Sequence, residues 1–399
     1  MPPGGRELTV SDGSIRVGFA LTPSNWLGGR NYMRSLFAAL RLLPETPITP
    51  VLFAGLEGED VASDFPDVEV VRSSLLDRKS PAWFARRVVA KTTSQDILLR
   101  RLLKRNGVSV LSHSFHLGFD PGKHPDVKTI GWIADLQHVR MPEFFSATER
   151  LNRDREYRSL CARCDKVIVS SECARADLCT FVPEYAHKME LLRFVASSTP
   201  LARATCLSDL QQKYDFTGPY FLLPNQFWAH KNHRIVISAL AELKKQQTPM
   251  LVLATGSISD PRNPTYFSSL MQYAEESTVL DCFRVLGQIP YDDIVGLMQH
   301  AIAFINPSRF EGWSTSVEEA KSMGKQIVLS DLPVHREQAP ERGIYFPAED
   351  PIALAEAMRV AYDEFDDQRD AVMQEKAGTQ FVERQRGFGE TYQHIVENV

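Results

Sequence analysis

Apolar runs of strand length alternate with helical runs along most of this chain, and this alternation limits the possible folds more than any other feature. A Gly28-Gly29 turn and a helix follow the first of these runs. The predicted strands of a first sheet are Ser14–Leu21, Val51–Ala54, Val68–Val71, Val108–Leu111, Thr129–Ala134 and Lys166–Ser170. A second series consists of Tyr220–Pro224, Met250–Thr255, Phe283–Leu286, Ala301–Asn306 and Gln326–Ser330. Because strands that alternate with helices favour parallel sheets covered by helices, the predicted fold class is α/β.

The length of the chain predicts more than one domain. A chain of 399 residues is too long for one ordinary hydrophobic core, so we expect two Rossmann-like domains that face a central cleft. The polar stretch Ser197–Gln212 is the predicted linker. We therefore assign residues 1–205 to the first domain, residues 206–378 to the second, and residues 379–399 to a final helix.

Composition and the amino terminus predict where the protein works. The hydrophobic content of 43% and the charged content of 24% are typical of soluble globular proteins. The first residues lack the profile of a signal peptide, and no apolar run approaches the length of a membrane span. We expect a cytoplasmic protein.

The segment Asn306–Ser330 combines a strand, a tight turn and the start of a helix. Thr315 and Glu318 have capping-box spacing, as do Ser316 and Glu319, so we expect the helix to begin close to Ser314–Ser316. Free N–H groups and the positive end of the helix dipole would meet there, which is typical of an anion site. Glu311 and Glu319 flank this site and are suited to hold sugar hydroxyls beside a bound phosphate. The alternative is that Glu319 or Glu318 only caps the helix and Glu311 is a surface loop residue.

The same segment resembles the C-terminal signature of retaining GT-B glycosyltransferases, which use nucleotide sugars. The shared residues are Pro-Ser, a short spacer, Glu-Gly, and a second Glu after seven intervening residues. The resemblance is to the group of bacterial mannosyl- and glucosyltransferases that assemble polysaccharides and other glycans. It implies that Glu311 contacts the donor sugar, that Glu319 holds the ribose, and that the final helix packs back on the first domain. It also implies that backbone amides bind the sugar and diphosphate, at Gly312, Trp313, Ser314 and Thr315.

The segment Pro224–His233 follows the first strand of the second domain and leads into a helix. Lys231 lies at this strand-to-helix turn, where a cation is well placed to neutralise a diphosphate. The alternative is an ordinary solvated lysine. The resembled family has an Arg and a Lys here, and Lys231 matches the Lys whereas Asn225 stands in place of the Arg. His230 or His233 is a candidate for the missing charge.

Two sites in the first domain complete the predicted cleft. Gly28 and Gly29 resemble the glycine loop through which the family's backbone amides approach the donor phosphate, although glycine is also the default turn residue. Asp135 and His138 follow the strand Thr129–Ala134, and sites of parallel sheets form beyond the carboxyl ends of strands. The resemblance implies that this strand tip lies close to the reacting sugar and the acceptor. The alternative is that both side chains are simply solvated.

These residues together predict a retaining hexosyltransferase that moves a sugar from a UDP- or GDP-linked donor to an acceptor hydroxyl. The acceptor is expected to be a glycan or a lipid-linked glycan. The chain contains no Asp-x-Asp pair and no Gly-x-Gly-x-x-Gly fingerprint, so we predict neither a metal nor a cofactor. Two alternatives stay open, namely a non-catalytic relative that binds nucleotide sugars and a GT-B-like sugar-nucleotide epimerase.

The stretch Arg72–Arg105 is strongly basic, with ten Lys or Arg and two Asp in a chain whose formal net charge is −5. Within residues 78–105, Trp83 and Phe84 interleave with Arg86, Arg87 and Lys91, as in basic amphipathic helices that lie on anionic membranes. The alternative is an ordinary surface helix whose aromatic residues pack inward. No recognition motif accompanies the charge, so we expect no nucleic acid partner. The two interpretations of residues 78–105 are therefore peripheral contact with the inner face of the membrane and an ordinary surface helix.

Overall fold

The first domain is a parallel sheet covered by helices. The computed structural model describes residues 14–20, 27–56, 65, 67–93, 95–113, 126–196 and 205–399. Seven parallel strands lie in the order β3-β2-β1-β4-β5-β6-β7. They are β1 (Ile15–Ala20), β2 (Ile48–Ala54), β3 (Glu69–Arg72), β4 (Val110–Ser112), β5 (Lys128–Ile133), β6 (Lys166–Val169) and β7 (Met189–Leu191). The helices are α1 (Leu27–Arg41), α2 (Pro81–Thr93), α3 (Ile97–Arg105), α4 (Gln137–Arg140), α5 (Ala147–Arg163) and α6 (Glu172–Phe181).

The second domain repeats this plan with six parallel strands in the order β10-β9-β8-β11-β12-β13. They are β8 (Tyr220–Pro224), β9 (Leu251–Thr255), β10 (Phe283–Gly287), β11 (Phe304–Asn306), β12 (Ile327–Ser330) and β13 (Gly343–Phe346). The helices are α7 (Leu207–Tyr214), α8 (His233–Lys245), α9 (Tyr266–Glu276), α10 (Tyr291–His300), α11 (Thr315–Ser322), α12 (Pro333–Gln338), α13 (Pro351–Asp363) and α14 (Asp367–Glu397). Short 3-10 helices are Pro142–Phe144, Pro183–Lys188 and Ala229–Lys231.

The central strands are buried on both faces, which explains why their sequences are almost continuously apolar. Strand β8 is the clearest example, because Tyr220, Phe221, Leu222 and Leu223 are all almost fully buried. The carboxyl ends of parallel strands lie at one edge of each sheet, and the loops at that edge carry the predicted site residues. The α/β fold with two parallel sheets is confirmed.

The structure differs from the sequence prediction at several element boundaries. Strands β7 and β13 were not predicted. Of the predicted linker, residues 197–204 lie outside the described residues, and α7 begins inside the remainder at Leu207. Gly28 and Gly29 belong to the first turn of α1 rather than to a turn before it, and residues 21–26 also lie outside the described residues.

The last helix contacts both domains. It begins at Asp367 rather than near Thr379 and continues for 31 residues. Its carboxyl half packs on α1, where Phe388 and Tyr392 join the core of the first domain. Its amino half is held to the second domain, where Lys325 Nζ donates to Asp370 Oδ2 at 2.6 Å. Among the described residues, no helix combines the length and the apolar character that crossing a membrane requires.

Candidate functional site

The turn between β11 and α11 holds a buried ion pair. Lys231 is the last residue of the 3-10 turn after β8, and its Nζ donates to Glu311 Oε1 at 2.7 Å. The Ser308 hydroxyl donates to the same oxygen at 2.7 Å. The Lys231 and Glu311 side chains are 15% and 9% exposed, so the pair is largely shielded from water. The predicted Lys and the first predicted Glu therefore meet at one point.

The charge of Glu311 is stabilised by its neighbours. Burial alone raises the pKa of this carboxyl, but the Lys231 ammonium and the Ser308 hydroxyl outweigh burial and lower the pKa to about 2. Glu311 is therefore ionised at neutral pH. One N–H of Lys231 is used by Glu311, and the ammonium has two further donors to offer a ligand.

A hydrogen-bond chain fixes the shape of the turn. Asn306 Oδ1 accepts from the Ser308 hydroxyl at 2.7 Å, and Asn306 Nδ2 donates to Ser314 Oγ at 2.9 Å. The Ser314 amide donates to Gln338 Oε1 at 3.3 Å, and Gln338 Nε2 donates back to Ser314 O at 3.0 Å. The Ser314 amide, one of the four predicted to bind the donor, is thus already used within the protein. Thr315 is the first residue of α11.

The two adjacent glutamates of α11 have different surroundings. Glu318 is almost fully buried, and its carboxylate accepts from Lys321 at 3.0 Å and from Arg384 of α14 at 3.0 Å. Glu319 is half-buried, and its Oε1 accepts from the Tyr291 hydroxyl at 2.9 Å. Both carboxylates thus bond to other side chains, and the N-cap Ser314 has no side-chain capping bond. Burial raises the pKa of Glu319 to about 7, although the Tyr291 hydroxyl acts in the opposite direction.

The same turn touches the first domain across the cleft. A Cβ added at Gly312 would lie 2.5 Å from Ala134 O and 2.6 Å from Asp135 Cβ, so only glycine fits at this approach. The next residue, Trp313, donates its indole N–H to Phe194 O at 3.0 Å. The predicted sites of the two domains are therefore brought together at the turn that carries Glu311.

Asp135 is placed at this junction. Its Oδ1 accepts from the Gln137 amide at 2.9 Å. Burial raises the pKa of Asp135 above its ordinary value, and the negative charge of Glu311 adds to that rise. The carboxyl groups of Asp135 and Glu311 thus differ in acidity and lie close enough for their charges to interact.

His138 has a different environment. Its side chain is buried, with Nε2 3.1 Å from Asp154 Oδ1 and the ring 5.1 Å from that of Tyr157. Phe145 and Phe181 also border the ring. The structure therefore packs His138 against α5 and α6 of its own domain rather than against Glu311. Its predicted role at the acceptor stays a prediction, and these contacts favour Asp135 over it.

The structure does not support either histidine as the replacement for the missing arginine. Burial, which is the main cause, lowers the pKa of both His230 and His233 to about 3, so both rings are neutral at pH 7. His233 stacks on Phe227 with ring centroids 4.3 Å apart. Asn225 is buried as well, and its Nδ2 has no hydrogen-bond partner among the described residues.

Sequence reasoning missed two polar residues of the cleft. Arg262 follows β9, donates to Gln137 Oε1 at 3.0 Å, and lies 5.3 Å from the ring centre of Trp228. His335 of α12 is fully buried, with Nδ1 donating to Ser330 O at 2.8 Å. His335 Nε2 has no partner within the described part of the chain. Position after the carboxyl end of a strand was the available signal for both residues.

A metal site is not evident in the described ranges. There, no group of three or more His, Cys, Asp or Glu is arranged to hold a metal ion. This geometry does not test the expectation that the protein works without a metal ion.

The chain is similar to known glycosyltransferases in its second half and in its fold. Residues 210–378 match the family described as "Glycosyl transferases group 1". No curated protein sequence matches the chain. The second half of the chain is therefore similar to group 1 glycosyltransferases.

Solved structures resemble the whole chain. A glycosyltransferase from Rickettsia africae has a TM-score of 0.65 at 16% identity, covering 97% of this chain and 100% of the other. The Anabaena protein Alr3699/HepE, in complex with UDP and glucose, has a TM-score of 0.66 at 14% identity, with coverage of 96% and 100%. A sucrose-phosphate synthase from Thermosynechococcus elongatus has a TM-score of 0.65 at 15% identity, also with coverage of 96% and 100%. At these identities the likeness establishes the GT-B fold.

Proposed function

We propose that this protein is a retaining, metal-independent glycosyltransferase that moves a hexose-type sugar from a nucleoside diphosphate donor to an acceptor hydroxyl. The observation that carries the proposal is the buried pair of Lys231 and Glu311, whose turn packs against Asp135 of the first domain at Gly312. Such a pair places a cation and an ionised carboxylate where a sugar and its diphosphate would lie side by side.

Lys231 stabilises the leaving group in this proposal. When the sugar–phosphate bond breaks, negative charge grows on the diphosphate, and preorganised cations and N–H donors are often the largest contribution to catalysis. The amides of Gly312, Trp313 and Thr315, near the positive end of α11, would add to Lys231. Those of Gly28 and Gly29 in the first turn of α1 would approach from the other domain.

The carboxylates position the donor and the acceptor. Glu311, ionised and anchored by Ser308, would accept hydrogen bonds from the sugar hydroxyls. Glu319, at the rim beside Tyr291, would hold the ribose diol. Asp135, whose pKa is raised by burial, would act near the acceptor hydroxyl. We place the acceptor among glycans or lipid-linked glycans of the cytoplasm.

The test is the release of nucleoside diphosphate from a panel of UDP- and GDP-linked hexoses, with and without candidate glycan acceptors. UDP donors come first, because the Anabaena relative is described with UDP and glucose. We expect release that needs Lys231, persists in EDTA, and gives a product whose anomeric configuration, read by NMR, is that of the donor.

The other outcomes would replace the proposal. Tight nucleotide-sugar binding without release would indicate a non-catalytic relative, and recovery of an epimeric sugar would indicate an epimerase. Activity that disappears in EDTA and returns with manganese would refute the metal-free mechanism. An inverted product would refute retention.

A further inference from the structure

Helix α2 exposes large apolar side chains on its solvent face. Phe84 is 54% exposed and Val88, one helical turn later, is 61% exposed. Arg87 and Lys91 are exposed beside them, since helix positions three and four apart share one face. The Arg87 guanidinium lies 5.7 Å from the ring centre of Trp83. This face of α2 therefore joins an apolar ridge to a basic edge.

The other face of α2 is buried and structural. Arg86 is only 5% exposed, and its Nη2 lies 2.7 Å from Asp96 Oδ2. Arg86 also donates to Leu75 O at 3.2 Å. The charge of Arg86 is thus neutralised by Asp96 inside the protein. Arg86 therefore does not contribute to the exposed basic surface formed by Arg87 and Lys91, with which the sequence pattern grouped it. The alternative interpretation, in which the aromatic residues of this helix pack inward, does not hold for Phe84.

The surroundings of the ridge are basic as well. Helix α3 packs beside α2, and two acidic groups near them already have cationic partners. Asp96 is paired with Arg86, and Asp126 accepts from Arg100 at 2.7 Å. Further basic residues on these two helices and the preceding loop are exposed, namely Arg78, Lys79, Arg101 and Arg105, whereas Lys104 shares Asp126 with Arg100. The positive charge of the stretch is therefore displayed outward, although the chain as a whole is negative.

We propose that the outer face of α2, with the adjoining basic residues of α3, docks on a membrane surface rich in anionic lipid. Phe84 and Val88 would enter the boundary between headgroups and acyl chains, while Arg87 and Lys91 pair with headgroup phosphates. An acidic protein or a nucleic acid would use the charge but would leave an aliphatic and an aromatic side chain without a matching environment. The apolar ridge is the observation that favours lipid.

The position of α2 in the fold determines which part of the protein would lie near the membrane. Strand β3 leads toward α2 at the carboxyl edge of the first sheet, the edge at which Asp135 follows β5. Leu56, which is 57% exposed, lies at the same edge after β2. A docked molecule would hold the first-domain side of the cleft near the lipid. The proposal does not depend on the proposed function.

Co-sedimentation with vesicles tests the surface directly. We expect the full chain to sediment with vesicles of phosphatidylglycerol and phosphatidylcholine, to stay in solution with phosphatidylcholine alone, and to be released by salt. Each surface Lys or Arg strengthens such binding about fivefold, so R87E/K91E, which alters two of them, should weaken it about 25-fold or more. F84S/V88S should weaken it about tenfold or more, because it removes the inserted apolar area.

Matched variants on α14 serve as controls. R369E/R386E makes the same charge change at exposed residues, and V372S removes an exposed valine of 64% exposure. All variants should keep the melting curve of the wild type by circular dichroism and should release nucleoside diphosphate as the wild type does. Equal recovery with neutral and anionic vesicles would overturn the proposal. So would equal loss of binding in the α14 controls, or tighter binding to duplex DNA than to vesicles.

Discussion

Replacing Lys231 by Met should destabilise the second domain, because the Glu311 carboxylate would stay buried without its cation. Burial raises the pKa of Glu311, yet Lys231 and Ser308 bring it from an ordinary 4.5 to about 2. Because one unit of pKa is worth about 1.4 kcal/mol, this lowering corresponds to roughly 3 kcal/mol of unfolding free energy at neutral pH. Most of that stabilisation should disappear in Lys231→Met.

The pH dependence of this effect has a definite sign. The folded pKa of Glu311 lies below the unfolded one, so the stabilisation is present above 4.5 and is lost as the pH falls toward about 2. The difference in unfolding free energy between the wild type and Lys231→Met should therefore be largest at neutral pH and shrink in acid. Urea unfolding can be followed by tryptophan fluorescence, since Trp228 and Trp313 lie within three residues of the pair.

A double-mutant cycle separates the pair from general effects. In Glu311→Gln it is the Lys231 ammonium that is left shielded from water without its anion, so adding Lys231→Met to that variant should not destabilise it further. We expect a coupling free energy of about 3 kcal/mol between the two positions. Lys245→Met, at a side chain that is 75% exposed, is the control and should stay within about 0.5 kcal/mol of the wild type. Effects that add to within about 0.5 kcal/mol would refute the reasoning.

Four further outcomes follow from the same geometry. Glu319→Gln should weaken nucleoside diphosphate binding about tenfold or more, since a charge-assisted hydrogen bond is worth roughly 1.5–3 kcal/mol. In calorimetry the wild-type affinity should rise as the pH passes about 7, where Glu319 ionises, and a similar rise in the variant would contradict the ribose role. Gly312→Ala should lower kcat more than donor affinity, because its Cβ would press on the first domain; unchanged kinetics would show that the contact is dispensable. Asp135→Asn should reduce transfer at least about tenfold while donor binding persists. His138→Ala should lower the melting temperature but leave turnover unchanged. The reverse result would assign the role near the acceptor to His138. Arg86→Ala should lower the free energy of unfolding in urea by about 3–5 kcal/mol, because it leaves Asp96 without its partner. A change near zero would show that Arg86 behaves as an ordinary surface residue.

Sequence periodicity located the interior strands because those strands are buried on both faces. The prediction Tyr220–Pro224, for example, coincides with β8. The two strands that were missed lie at the edges of their sheets and are three and four residues long. An edge strand is paired on one side only and needs no long apolar run, so Met189–Leu191 and Gly343–Phe346 carried little signal.

The residues of the site were predictable where one loop holds them and unpredictable where the partner is distant in sequence. The spacing from Glu311 to Glu319 lies within one loop and helix, and the turn was placed correctly. The contact of Glu337 with the first domain was not predicted. Its carboxylate accepts from the Glu172 amide at 2.9 Å and from Arg193 Nε at 2.7 Å. More than 140 residues separate the partners in each case, so no local sequence pattern can indicate the contact.

Glu318 and Glu319 show how such a distant partner decides the role of a residue. Both fit a capping box, and both are acidic residues in the first turns of α11. Successive helical residues differ by about 100° in direction, so one carboxylate meets α14 while its neighbour faces Tyr291. Arg384 neutralises Glu318 and so makes it part of the packing between helices, whereas Glu319 has no cationic partner among the described residues. Burial without a cation is what raises the pKa of Glu319 to about 7 and leaves that carboxylate available to a ligand's hydroxyl groups.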